Sequence, residues 1–164
     1  MLKIINSIRD LSFSDIIHVY SQSIAENGRL YYPALDLHNQ RLEAEQDLYN
    51  YLCTFFKISG AYMGIWIENG IYISAVRIEP YKDGMLISAL ETAPECRGLG
   101  YATRLLSAIT QVQENRYYSH VSVDNKSSLI VHKKAGFSVL FDYARYIDGS
   151  VDHKSFTLIR HGDL

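Results

Sequence analysis

Cysteine is nearly missing from this chain: Cys53 and Cys96 are the only two in 164 residues, too few to staple a small fold. A disulfide scaffold is excluded, and a reducing, cytoplasmic compartment is expected. An excess of one charge sign is missing as well, because 16 Lys and Arg stand against 18 Asp and Glu for a net −2. Without an overall positive field, nucleic acid is not an expected partner. Long hydrophobic runs are absent too. Arg77 and Glu79 interrupt the longest candidate, residues 71–80, well short of the roughly 18 apolar residues that a membrane span needs. The start Met1-Leu2-Lys3-Ile4-Ile5 meets polar residues before a signal-peptide core can form, so neither leader nor membrane partner is expected. No His/Cys spacing fits zinc and no Gly-x-Ser-x-Gly occurs, so neither a metal nor serine-hydrolase chemistry is expected.

What is present is enough apolar material for one core: 48% of residues are hydrophobic and 21% charged, with no repeat, low-complexity stretch or linker. A single domain over residues 1–164 is expected. After a short apolar run at residues 2–5, Ser12 reads as an N-cap, with Asp15 three residues on and Leu11 and Ile16 as a hydrophobic staple. Phe13, Ile17, Tyr20 and Ile24 share the apolar face of this helix, and Asn27-Gly28 supplies its stop. Tyr31-Tyr32-Pro33 breaks the chain before a second helix over about 39–57, with Leu48, Leu52 and Phe55 on one face. Residues 61–67, 71–78 and 85–92 are rich in β-branched and aromatic side chains, with turns at Asn69-Gly70 and Asp83-Gly84, which predicts an antiparallel meander. A helix then runs to about 115, a strand over 118–123, a short helix over 127–135, and two closing strands over 137–147 and 153–159. The order describes an α/β (α+β) domain with a mixed sheet.

Between the meander and the third helix lies Arg97-Gly98-Leu99-Gly100-Tyr101-Ala102-Thr103. Two glycines let backbone N–H groups turn one way, and the helix that follows adds the positive end of its dipole at the same spot. Such a cradle binds an anion. Thr103 stands where a dinucleotide fingerprint needs its third glycine, and the preceding strands are hairpin-linked, so a Rossmann site fails on context. No Gly-Lys-Ser/Thr follows, so the P-loop fails as well.

These residues resemble the GNAT superfamily of N-acetyltransferases, whose signature Arg/Gln-x-x-Gly-x-Gly/Ala is met by Arg97, Gly100 and Ala102. Leu90-Glu91-Thr92-Ala93-Pro94-Glu95-Cys96 is similar to the strand end and proline turn that lead into that loop. Asn125-Lys126-Ser127-Ser128, running on to Ala135-Gly136-Phe137, resembles the family's second block. The resemblance implies a single GNAT-like domain, with a mostly antiparallel sheet of about seven strands, four flanking helices, and a splay that opens a slot for CoA. It implies acetyl-CoA as co-substrate and direct attack of an amine on its thioester. The pyrophosphate would rest on the amides of Gly98, Leu99, Gly100, Tyr101, Ala102 and Thr103, and the pantetheine arm beside Glu91, Thr92 and Ala93, with Asn125 and His132 near it.

Acyl transfer to an amine needs a base, a polarised carbonyl and a proton for the departing thiolate. Glu91, at the end of the central strand, is the candidate base, against a plain solvated carboxylate. His132 falls where many family members carry a tyrosine acid; it shares an inward helical face with Ser128, Val131 and Ala135, and is either that acid or a structural group. Tyr101, Tyr117, Tyr118 and Tyr143 are alternative hydroxyls. Asn125 caps its helix, lies near pantetheine, or does both. Arg97 either contacts a phosphate or holds the loop. Cys96 is reactive or a bystander. Residues 26–50 carry five acids against two bases and residues 97–134 six bases against two acids, which suits a cationic amine on one side and a polyphosphate on the other. A small-molecule or peptide amine is the expected acceptor, approaching beside the first helices and the Tyr31-Tyr32 loop. Two rivals are a non-catalytic acyl-CoA-binding or regulatory module and transfer of a bulkier acyl group. A homodimer through an edge strand bearing Phe156 and Leu158 is a further expectation, with Lys154 and Arg160 as possible guards.

Overall fold

The computed structural model describes residues 1–162; the last two positions of the expected domain lie outside the described residues. Strand β1 (Leu2–Ile5) is followed by helices α1 (Phe13–Val19), α2 (Ser21–Tyr31) and α3 (Leu37–Phe55). The meander is β2 (Tyr62–Glu68), β3 (Ile71–Tyr81) and β4 (Gly84–Thr92), then α4 (Tyr101–Ile109), β5 (Arg116–Ser122) and α5 (Lys126–Lys134). The chain closes with β6 (Ser138–Phe141), a small hairpin of β7 (Ala144–Arg145) and β8 (Val151–Asp152), and β9 (Ser155–His161).

Seven strands form one sheet in the order β1-β2-β3-β4-β5-β9-β6, antiparallel throughout except where β4 runs parallel to β5. Helices α1, α2 and α3 cover one face, burying Ile16, Val19, Ile24, Leu52 and Phe55 with Met63, Ile65 and Ala75. Leu105, Leu106 and Ile109 of α4 cover the other, against Val76, Ile78, Ile87 and Tyr117. The fold is the expected one, a single α/β domain with a mostly antiparallel seven-stranded sheet.

Several local expectations are corrected. The first helix breaks at Tyr20, whose ψ of 12° leaves the helical range, so the described residues form five α-helices rather than four. The Tyr20 hydroxyl donates to the Ala89 carbonyl at 2.6 Å, which ties the break to the sheet. Asn27-Gly28 does not stop α2; Gly28 lies inside the helix, where a Cβ would come within 2.7 Å of the Gln40 carbonyl oxygen of α3. Helix α3 begins at Leu37, because the Asp36 side chain caps it by accepting from the Asn39 amide at 3.1 Å. Helix α4 ends at Ile109, six residues early, and Val112 is exposed. The strand expected over 137–147 stops at Phe141, and Ala144–Arg145 pairs in the separate hairpin instead. Strand β9 lies between β5 and β6, so Phe156 and Leu158 pair inside the sheet and the expected edge does not exist.

Candidate active site

The site begins with a fault in β4. Ala75 pairs with Glu91 and Arg77 with Ser88, so Ala89 and Leu90 together face Val76 alone. This is a β-bulge. Ala89 takes a φ of +49°, a left-handed conformation that costs a residue with a side chain about 1–2 kcal/mol. The bond from Tyr20 helps hold it there. Parallel pairing with β5 covers only Met85, Leu86 and Ile87, whereas β5 stays paired with β9 out to Ser122. Past Ile87 the sheet therefore splits, with β4 on one side of the gap and β5 on the other.

The glycine loop closes one end of that gap. Gly98 and Gly100 have φ values of +76° and +84°, and a Cβ on either would point into open space. Gly100 is the N-cap of α4, and no side chain caps the helix. The first intrahelical bond runs from the Arg104 amide to the Gly100 carbonyl at 3.0 Å, which leaves the earlier first-turn amides for an anion. A cleft of about 570 Å³ opens here. Thr92, Arg97, Gly98, Gly100, Tyr101, Ala102 and Thr103 line it together with Glu91, and Asn125, Ser128, Val131 and Lys134 of the α5 segment form the facing wall. The Asn125 side chain accepts from the Ser128 amide at 3.0 Å, so its capping role is present.

Not every expected residue reaches the cleft. Leu99 is exposed beside it, and Ala93 is fully buried, its amide donating to the Ile73 carbonyl at 2.8 Å. His132 is 2% exposed and does not line the cleft. Its ring packs edge-on against Phe137, and Nδ1 donates to the Ser128 carbonyl at 2.8 Å. Burial lowers its pKa, the Ser128 bond pulling the other way, so the ring is neutral and its unpartnered Nε2 carries no proton to give. The inward helical face leads into the core rather than the gap. Tyr117 and Tyr118 are buried elsewhere, donating to Ile109 and to Asp83, and Tyr143 stacks on Phe141. Tyr101 alone of the four lines the cleft, and its hydroxyl donates to Glu68 at 2.7 Å. Burial raises the Cys96 pKa, reinforced by Glu95 and Glu68, which makes it a poor nucleophile.

Glu91 stands at the junction. Ser23 Oγ donates to Oε1 at 2.5 Å, and Arg97 Nη2 lies 3.3 Å from Oε2. Arg97 also donates to the Thr92 carbonyl at 3.1 Å and to Gln22, so it holds the loop against β4 and α2. On the far side of Glu91 lies a second cavity of about 540 Å³, lined by Tyr20, Tyr31, Tyr51, Asp47 and Arg77 and sharing Ser23, Glu26 and Glu91 with the first. Glu26 and Asp47 of the acid-rich segment line this place, as does Tyr31 at the end of α2, whereas Tyr32 does not. Ser23, Tyr20 and Arg77 were not foreseen as site residues: Tyr20 reads as part of an apolar helix face and Arg77 as a charge in an apolar strand, and the fold brings them to one cavity.

The profile of the Acetyltransferase (GNAT) family matches residues 26–137. The chain belongs to this family. Solved GNAT structures share its fold at low identity. A GNAT-family acetyltransferase from Bacillus cereus superposes with a TM-score of 0.65 at 18% identity, covering 100% of this chain and 99% of that one. A PaiA N-acetyltransferase from Thermoplasma acidophilum, solved in complex with coenzyme A, gives 0.63 at 14%, covering 98% and 99%. A spermidine N-acetyltransferase SpeG chimera from Vibrio cholerae and hSSAT gives 0.60 at 14%, covering 98% and 95%. No curated protein matches the sequence. Acetyl transfer from acetyl-CoA is the general reaction of GNAT proteins, and the uncapped amides, the open glycines and the split sheet fit that co-substrate. No helix among the described residues is long and apolar enough to cross a membrane.

Proposed function

We propose that this protein transfers acetyl from acetyl-CoA to the nitrogen of a small amine, with the donor in the 570 Å³ cleft and the acceptor in the 540 Å³ cavity. One observation carries the reading: the two cavities meet at Glu91, a carboxylate held from both sides at the β4 bulge. The amides of residues 98–103 would take the pyrophosphate, with Lys134 across the cleft adding positive charge. Backbone of β4 beyond Ile87, where β5 has left, would pair with the amides of the pantetheine arm as an added strand does. When bound, the co-substrate supplies the activated acetyl group. Glu91 accepts a proton from the incoming ammonium, directly or through one water, and Ser23 and Arg97 keep its carboxylate plane fixed while it does so. The free cysteines Cys53 and Cys96 suit a reducing cytoplasm.

A second reading, a CoA-binding module without turnover, is favoured by one observation. His132, at the position where the family often carries its acid, faces away from the cleft. Incubation with acetyl-CoA and a panel of amines, with free thiol followed over time, separates the two. Thiol release that depends on an amine supports the transferase; CoA binding by calorimetry with no release over any amine overturns it.

A further inference from the structure

Arg77 is the outlier of the second cavity. It lies on β3 opposite Ser88, one side-chain repeat from Ala75, which pairs with Glu91. Its guanidinium carbon sits 4.3 Å from the ring centroid of Tyr51, and Nε is buried with no acceptor. Among the described residues, no hydrogen bond or ion pair reaches any of its five donors. Glu79, two residues along the same strand, forms no ion pair with it, although Arg77 pulls down a carboxyl that burial raises. The other carboxylates near the cavity already have partners: Glu91 is bonded to Ser23 and Arg97, Glu26 to Gln22, and Asp47 to Tyr32. A guanidinium is a fixed fork that matches a carboxylate with two parallel bonds, and flat stacking on an aromatic ring pre-orients that fork. A partner for it is missing among the described residues, and a ligand in the cavity can supply one.

The opposite end of the cavity has the opposite sign. Glu91 faces the donor cleft, with Glu26 beside it, so the amine belongs there. Two residues along a strand separate Ala75 from Arg77, about 7 Å of backbone, which one small molecule can bridge. Resting on the transferase reading above, we infer that the acceptor is a zwitterion: a small amino acid whose carboxylate is held by Arg77 and whose amine faces Glu91. Tyr20, Tyr31 and Tyr51 then wall its side chain. A polyamine has no group for Arg77 and meets a half-buried cation there.

The test compares amino acids with their own carboxamides, and with spermidine, as acceptors for the wild-type protein. A KM for the amino acid at least tenfold below that of its carboxamide is expected. Arg77→Gln should raise the amino-acid KM to the carboxamide level, leave the acetyl-CoA KM unchanged, and be partly rescued by Arg77→Lys. Equal KM values for the amino acid and its carboxamide, or a preference for spermidine over every amino acid, overturn the inference without needing a variant. Calorimetry of the same ligands on the CoA-loaded protein requires no turnover. Binding that depends on the carboxylate and is lost in Arg77→Gln, without acetyl transfer to any amine, supports the anion site and defeats the transferase reading. Transfer that ignores the carboxylate does the reverse.

Discussion

Replacing Gly28 with alanine tests the packing that shapes the second cavity. In an exposed helix the change is favourable by about 1 kcal/mol, because alanine has the higher helix propensity. Here the new Cβ would lie 2.7 Å from the Gln40 carbonyl oxygen, 3.0 Å from its carbon and 3.2 Å from the Gln40 Cβ. Unstrained contacts sit near about 3.5 Å, so α3 must retreat by roughly 1 Å at this point. Helix α2 cannot yield instead, since Tyr20 and Ser23 fasten its N-terminal end to β4. Because the new Cβ meets Gln40 backbone rather than the end of a flexible side chain, the upper part of the usual overpacking cost applies, about 2–3 kcal/mol, and after the propensity gain a net loss of about 1–2 kcal/mol remains. For a chain of this size that lowers Tm by about 3–6 °C. Urea titration followed by Trp66 fluorescence measures it. Because α2 and α3 line the second cavity, the acceptor KM should rise while CoA affinity stays unchanged. A variant as stable as the wild type, or more so, would show that the helices have room to spare and would refute the close-approach account.

Glu91→Gln keeps the shape of the side chain and removes its basicity; kcat/KM should fall by about 10²–10⁴ with CoA binding unchanged, and a loss below about threefold removes Glu91 as the base. Gly100→Ala forces a side chain into a φ of +84° in the lining of the cleft, so CoA affinity measured by calorimetry should fall about tenfold, and an unchanged Kd would mean that the anion rests elsewhere. His120 and His132 both have pKa values lowered by burial. Between those values and the unfolded value near 6.5, the unfolded chain binds more protons than the native one, so stability is full above about pH 6.5 and declines on acidification. Urea midpoints at pH 7.5 and 5.5 should differ in that direction, less so in the His120→Phe, His132→Leu double variant, and a midpoint that rises at pH 5.5 contradicts the assignment. His132→Leu alone should retain kcat within about twofold, because its ring does not reach the cleft; a loss of about 10² would restore it to the chemistry.

The sequence carried most of the fold because the strands of the meander are rich in β-branched and aromatic side chains and the Asn69-Gly70 turn between two of them is marked by a glycine with φ +79°. It carried the loop for the same reason: Gly98 and Gly100 do adopt the positive φ that their type allows. Glycine also misled. Gly28 read as a stop, yet its missing side chain serves a contact with Gln40, which lies on the next helix in sequence but is adjacent in space. Gly84 read as part of a turn, but the turn uses Lys82 with φ +50°, and a Cβ on Gly84 would clash with Arg116 of β5. His132 was placed on the right face of its helix, but a helical wheel tells inward from outward and cannot tell core from cleft. Arg77 interrupted an apolar run and was read only as an obstacle to a membrane span.

The same backbone fault explains why these scattered residues act as one site. A regular β4 would pair with β5 along its length, close the gap and send Glu91 to the face opposite the one it now serves, because one extra residue inverts the alternation of a strand. With Ala89 and Leu90 sharing one partner, the pairing with β5 ends at Ile87 and Glu91 is left reachable from both cavities. The cost of the left-handed Ala89 is small, and Tyr20, released from helical geometry at the α1–α2 break, offsets part of it through its bond to the Ala89 carbonyl. The helix break, the bulge and the split sheet are therefore one arrangement, joined at Tyr20, Ala89 and Glu91, which all line the second cavity.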